Sequence, residues 1–528
     1  MRALILLSIT FIFFAQTGRT QLYLPNAQYY NNSVDKIFMQ DSTITGFANS
    51  HLSIRPIRYE RSKPDSIFSN SNKYYYWITQ KLFKENFIIF EGEDFWCSVD
   101  PVIDLEGGTD VHPDSSSFLY WNTRGIRVQA NFFDKIAFTT SFYENQAVLP
   151  QFINDFVNQY GELRPVINGY KQEHAVIPGY ARTKPFKTNG YDFAFAEGNF
   201  SYVPNKWVNF QFGNGNQFIG NGYRSLLLSD FSVNYPFTKI ETNLWKDRIQ
   251  YSAIYAVHQN LYRIPFYESV EPTYERKIGT YHYLDFAVTK NFTVGLFEGA
   301  LWKRSDSLGT HQPNYLFLNP VPFVNGAIMA NETSGYNAIF GLNAAYNFKN
   351  NQAYGQVLID NKTIGGAQLG VKSYGQFVTG LDIQLEYNWV KHNSYLSDEK
   401  RYNYSHYNLP LAHPLTAGFN EGIVRISYEK NGFFATNKTV YYKQTFSDTL
   451  SDGTNILIDQ LNSVTGQDQQ RNVIHNNLEF GYRFNKTYNL QAFIGWTFRE
   501  EYLSNQNNTT SYIHAGVRTR LRNKTFDF

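Results

Sequence analysis

The stretch NLEFGYRFNKTYNLQAFIGWTFR, residues 477 to 499, decides how the chain folds. Successive side chains of an extended strand leave opposite faces. Leu478, Phe480, Tyr482 and Phe484 therefore share one face, while Asn477, Glu479, Gly481 and Arg483 share the other. After a tight turn the alternation resumes, with Tyr488, Leu490, Ala492, Ile494, Trp496 and Phe498 opposed to Asn489, Gln491, Gly495, Thr497 and Arg499. Residues 511 to 522 repeat it: Ile513, Ala515, Val517 and Leu521 oppose His514, Arg518, Arg520 and Arg522, and the chain ends on the aromatic Phe528. Strands apolar on one side and charged on the other fit either a soluble sandwich or a lipid-facing barrel.

Composition separates these two. Residues 1 to 20 read as a secretory signal peptide, a positive Arg2 followed by an apolar run from Ala3 to Phe14 and then small and polar residues, so the mature domain is expected over 21–528. No cysteine follows the apolar run, and the single cysteine, Cys97, reads as a buried or lumenal filler. No later run of about 18 apolar residues offers a transmembrane helix. The negative mean hydropathy is also what a transmembrane barrel gives, because half of each strand faces water or the lumen. An aromatic content of 18%, from 40 Tyr, 45 Phe and 8 Trp, suits girdles at two membrane interfaces. A net charge of +2 gives no footing for a nucleic-acid partner.

The organisation agrees with a barrel. Tight turns carrying Lys, Asn or Asp recur near Phe133, Pro204, Trp245, Thr289, Phe348, Glu429 and Phe484, and long irregular connections cover 147–190, 262–277, 304–335, 393–419 and 447–471. Short turns at one end and long loops at the other mark outer-membrane barrels. Nineteen candidate strands can be drawn, beginning with 45–57; since single-chain barrels close with even numbers, one of them belongs outside the wall. The expected fold is an all-β transmembrane antiparallel barrel of about 18 strands, with helical insertions near 73–90 and 149–160.

No nucleophile elbow, HExxH, phosphate loop or CxxC is present, so a non-enzymatic chain without cofactor or metal is expected. His406 and His413 have no metal-ligand spacing and read as loop-structural residues. Asp382, Glu386, Arg483, Arg499, Arg518, Arg520 and Arg522 fall on polar faces and are expected to line the lumen, either setting a transverse field in a pore or pairing across a plugged interior. The run QFGNGNQFIGNGYRSLLLSD, residues 211 to 230, has glycines at 213, 215, 220 and 222, which mark close approach of another segment. Two readings follow. It is a wall region holding an inserted loop, with Arg224 and Asp230 as the fixing residues, or a glycan surface in which Asn216, Gln217, Tyr223 and Arg224 supply hydrogen bonds and a stacking face.

The runs SFYENQ at 141–146, KPFKTNGYDFAFAEG at 184–198, GNGYRSLLLSD at 220–230 and NLPLAHPLTAGF at 408–419 resemble a family of Bacteroidetes outer-membrane proteins, the RemB-type gliding motility proteins. These in turn look distantly like the Wzi capsule-assembly proteins, barrels of about 18 strands that bind surface polysaccharide. Thr416 departs from the pattern, standing where the resemblance leads one to expect glycine. The resemblance implies an outer-membrane barrel acting in gliding motility or surface polysaccharide attachment, with the bilayer, surface polysaccharide and other surface motility proteins as partners. The charged lumen keeps a diffusion channel for small solutes as the alternative.

Overall fold

The computed structural model describes residues 21–40, 51–60, 75–111, 118–133, 135–166, 169–263, 274–306, 309–310, 318–329, 336–360, 362–446, 454–457, 469–503 and 506–528. The signal-peptide reading lies outside them, as does 45–50 of the first candidate strand.

Eighteen antiparallel strands form the wall. They are β1 Phe95–Asp110, β2 Phe118–Phe132, β3 Ile136–Val148, β4 Gly190–Asn205, β5 Val208–Gly215, β6 Tyr235–Leu244, β7 Ile249–Arg263, β8 Tyr274–Ala287 and β9 Phe292–Lys303. The second half comprises β10 Tyr336–Phe348, β11 Asn351–Asp360, β12 Thr363–Tyr374, β13 Leu381–Val390, β14 Phe419–Lys430, β15 Phe433–Phe446, β16 Gln469–Asn485, β17 Leu490–Leu503 and β18 Gln506–Thr519. Each pairs with the next, and β18 closes on β1 through Tyr512↔Asp110 to Arg518↔Asp104. Closure leaves no sheet edge in the wall, as a strand structure needs in lipid, where unpaired backbone groups find no water.

The tight turns lie at one end. Seven follow the wall strands that end at Phe132, Asn205, Leu244, Ala287, Phe348, Lys430 and Asn485, and the eighth, 375–380, carries no Lys-Asn signal and was marked only by the candidate strands 365–376 and 379–391 on either side of it. Left-handed backbone at Lys246, Lys349, Asn431, Gly432 and Asn489 makes these reversals. The long connections leave from the other end.

Facing follows the alternation. Leu369, Ile364, Ile494, Phe212 and Phe480 are at least half exposed on the outer face, where lipid belongs, whereas Lys239, Lys277 and Lys372 point inward and are almost completely buried. Fully buried inward lysines require a filled lumen. Cys97 alternates with the inward Trp96 and Ser98, so it lies on the outer side, contrary to a lumenal filler.

Three insertions do the filling. The N-terminal segment contributes helix α1 (Gln28–Gln40), whose Asp35 accepts from Lys372 Nζ at 2.8 Å. Of the described part of the candidate strand 45–57, residues 51–57, Ile54–Arg55 is a strand; it pairs with Phe218–Ile219 inside the barrel and is no part of the wall. The glycine-rich run leaves the wall after Gly215, and residues 216–234 turn into the lumen. The third insertion is the C-terminus. Wall strand β18 stops at Thr519 and residues 520–528 fold back inside, so Leu521, read as outward, is buried in the lumen, and Phe528 stacks on Phe156 with ring centroids 3.5 Å apart instead of ending the wall. The helix expected over 73–90 is confined to α2 (Trp77–Phe83), followed by strand Ile88–Glu91 beside β1; α3 spans Gln151–Gln159.

Candidate functional site

The inserted loop and the C-terminal tail meet at one buried cluster. Gly222 lets the loop pass close to the wall: a Cβ there would lie 2.7 Å from Glu386 Oε2 and 2.8 Å from Gln368 Oε1. Glu386 then accepts the backbone N–H groups of Tyr223 at 2.7 Å and Arg224 at 3.0 Å, and the Tyr354 hydroxyl at 2.7 Å. A carboxylate fixed this way sets the loop's direction, and Leu226, Leu227 and Leu228, which follow Ser225, are completely buried. Each buried leucine contributes about 1.5–3 kcal/mol. Leu227 fits because Gly341 on β10 has no side chain; a Cβ there would lie 2.2 Å from Leu227 Cδ2.

Arg224, 3% exposed, sits between two acids. It donates to Glu421 Oε1 at 3.2 Å, pairs with Asp527 Oδ1 at 3.1 Å and donates to the Asp527 carbonyl at 3.0 Å. Asp527 also pairs with Lys438 at 2.8 Å and accepts from the Tyr223 hydroxyl at 2.7 Å, while His413 Nε2 lies 2.7 Å from Glu421. Burial pushes the Asp527 carboxyl up, but Arg224 and Lys438 outweigh it and hold it well below the usual carboxylate range. Burial also raises the Tyr223 hydroxyl, helped by Asp527 and opposed by Lys438. The Arg224 guanidinium would be lowered by burial; Asp527 and Glu421 reverse this and raise it.

The other residues of the run lie apart from this cluster. Asn216 Nδ2 donates to the carbonyls of Asp230 at 3.1 Å and Ser232 at 2.7 Å; Gln217 accepts from Lys239 Nζ at 3.2 Å; Asp230 accepts from Asn26 Nδ2 at 3.0 Å. All three tie the loop to itself, the wall or the N-terminal segment. Glu421, Asp527 and Lys438 were missed in the sequence, where only the inward phase of Glu421 and Lys438 signalled them.

The residues expected to line the lumen all face it or lie within it, and each has a partner. Asp382 pairs with Lys36 of α1 at 2.5 Å, Arg483 with Glu429 at 3.3 Å, and Arg499 with Glu501 at 2.9 Å while donating to the Phe528 carbonyl at 3.3 Å. Arg518 and Arg520 share Glu479 at 2.6 and 3.0 Å, and Arg522 reaches Glu197 at 3.5 Å. Arg520 and Arg522 act from the folded-back tail, beyond the end of β18.

The run 408–419 packs on the same loop. Ser229 bonds the Ala412 carbonyl through its hydroxyl and the Leu411 carbonyl through its N–H at 2.8 Å. His406 is buried, accepts from Gln259 N–H at 2.9 Å, and has its pKa pushed down to about 3 by burial. Thr416 adopts φ +58°, a left-handed backbone natural to glycine, which explains the expectation of glycine there; nothing in the structure explains the threonine.

No arrangement for nucleophilic catalysis is found among the described residues. His51, Asp285 and Ser53 adjoin, but Ser53 donates to Asp285 rather than to the imidazole, whose Nε2 faces the Asp247 carbonyl at 2.9 Å. A base already committed this way cannot activate the hydroxyl.

No family model and no curated protein sequence matches the chain. Among solved structures it is similar to Wzi of Escherichia coli, described as an outer-membrane protein involved in group 1 capsule assembly and a carbohydrate-binding β-barrel: 12% identity, 95% of this chain and 99% of that one covered, TM-score 0.50. It is also similar to OprD of Pseudomonas aeruginosa, at 10% identity over 80% of this chain and 94% of that one, TM-score 0.40, and to a BenF-like porin of Pseudomonas fluorescens, at 9% identity over 80% and 98%, TM-score 0.41. The likeness to Wzi is one of fold.

Proposed function

We propose that the chain is a non-enzymatic outer-membrane barrel that holds polysaccharide at the cell surface. The observation that supports this reading is the whole-length likeness of fold to a barrel described as carbohydrate binding, in a chain whose own lumen is occupied by three inserted segments. An occupied lumen suits a surface-attachment protein better than a wide diffusion channel, the alternative reading. Gliding motility is the finer version of the same proposal, motivated by the sequence runs at 141–146 and 220–230; the motility apparatus would then supply its protein partners. The signal-peptide reading of residues 1–20 supplies the route to the outer membrane. The test compares cells lacking the chain with cells in which it is restored. Polysaccharide shed into the medium on deletion and recovered at the surface on restoration supports the proposal; unchanged retention, with gliding also intact, rejects it.

A further inference from the structure

A second basic site lies at the turn end of the lumen, the end that faces the periplasm in outer-membrane barrels. There, between α1 and strands β12 to β17, is a cavity of about 170 Å³. Seven cationic side chains line it against three carboxylates, Asp382, Glu429 and Glu479. Asp35 and Asp527 stand behind the lining and neutralise Lys372 and Lys438. Lys524 is held from outside the lining by Asp104 at 2.6 Å and Glu106 at 3.3 Å, so one positive charge is left over. It is Arg425, which has no carboxylate within ion-pair distance among the described residues, its Nη1 donating to the Gln384 side-chain oxygen at 2.6 Å.

The placing of Arg425 is costly without an anion. It stands directly opposite Lys438 across the β14–β15 pair, and directly opposed side chains have Cβ atoms about 4.5–5.5 Å apart, where like charges repel. Both cations lie over the ring of Tyr223, Arg425 at 4.8 Å and Lys438 at 5.4 Å from its centroid. A chain that only filled its lumen could set a neutral residue at 425. The same cavity presents the amides of Gln384 and Asn477 and the ring of Phe434. Amides bind hydroxyls as donors and acceptors, and aromatic faces take the apolar face of a sugar.

We propose that this periplasm-facing cavity binds an acidic sugar residue, its carboxylate held by Arg425 and its hydroxyls by the amides of Gln384 and Asn477. The proposal rests on the polysaccharide reading and names the chemistry of the unit recognised from inside the cell envelope. A guanidinium suits it, since its fork matches a carboxylate's two oxygens.

Calorimetric titration of the full barrel in lipid nanodiscs with sodium D-glucuronate, D-glucose and inorganic phosphate tests it. Glucuronate is expected to bind, glucose to bind at least tenfold more weakly, and Arg425→Gln to weaken glucuronate at least tenfold while heat-modifiable migration on gels is retained. Arg425→Lys, which keeps the charge without the fork, should fall between the two and stands in if Arg425→Gln does not assemble. Absence of glucuronate binding, equal binding of glucose, phosphate binding as tight as glucuronate, or binding indifferent to Arg425 each overturns the assignment. Shedding of polysaccharide by cells lacking the chain is judged separately, so failure at Arg425 leaves the surface-attachment reading standing.

Discussion

Replacing Arg224 with alanine should release the C-terminal tail from the lumen. Arg224 is 3% exposed and bridges two buried acids, Glu421 and Asp527. Removing one member of a buried ion pair costs about 3–5 kcal/mol, because the remaining charge is left without compensation. Glu421 keeps His413 at 2.7 Å and Asn388 at 2.9 Å, and Asp527 keeps Lys438 at 2.8 Å, so the lower end, about 3 kcal/mol, applies here. Equilibrium unfolding in lipid vesicles reads the loss. A cysteine placed at Phe528, with Cys97 removed, reads the tail: it should resist a water-soluble maleimide in the parent barrel and react at least tenfold faster with Arg224→Ala. The double variant Arg224→Ala/Asp527→Ala should lose less than the sum of the singles, by about 1.5 kcal/mol or more, since close charge pairs couple that strongly. Additive losses, or a tail equally shielded with and without Arg224, would refute the latch.

Other expectations follow from the packing and the titrations. Gly341→Val should lower the thermal midpoint of gel-shift unfolding by the equivalent of about 1–3 kcal/mol, because the added side chain meets Leu227 in a packed interior; an unchanged midpoint would mean the loop does not reach the wall. Cysteines at Phe480, Leu490 and Ile494 should react with lipid-soluble probes, whereas at Gln491, which is buried by the lumenal segments, reaction with water-soluble reagents should be slow in the folded barrel and fast after unfolding. The pKa of His406 is pushed down to about 3, so between pH 6.5 and 3 the unfolded chain binds a proton that the folded chain refuses. Stability should therefore be full above about pH 6.5 and fall as pH drops toward 3, with His406→Gln flattening that slope; a slope the same with and without the imidazole counts against its burial.

The wall was legible because its information is local. In 477–499 a period of two repeats for two strands across a turn, and the exposed Phe480 and Ile494 against the buried Glu479 and Arg499 follow directly from it. The lumen was illegible for the opposite reason: Arg224 is 197 residues from Glu421 and 303 from Asp527, separations at which no pattern records contact. Leu521 was misread because the alternation of β18 continues three residues past the last backbone pair, Leu490↔Thr519 with β17, into a tail whose apolar residues pack on lumenal aromatics instead of lipid. Helix α1 was overlooked although Tyr30, Val34 and Phe38 recur at four-residue spacing and pack on the core, because the polar Asn31, Asn32, Ser33, Asp35 and Lys36 between them break up the run. The glycines at 220 and 222 did announce close packing, but the segment they mark is itself the inserted loop rather than the wall that receives it.

The most direct test of the account is binding of purified cell-surface polysaccharide from the producing cells to the barrel held in lipid nanodiscs, measured as an equilibrium isotherm. A saturable isotherm, absent with nanodiscs carrying no protein, is what a polysaccharide-holding barrel predicts. No binding across the accessible concentration range would contradict it, and the filled lumen would then need another explanation.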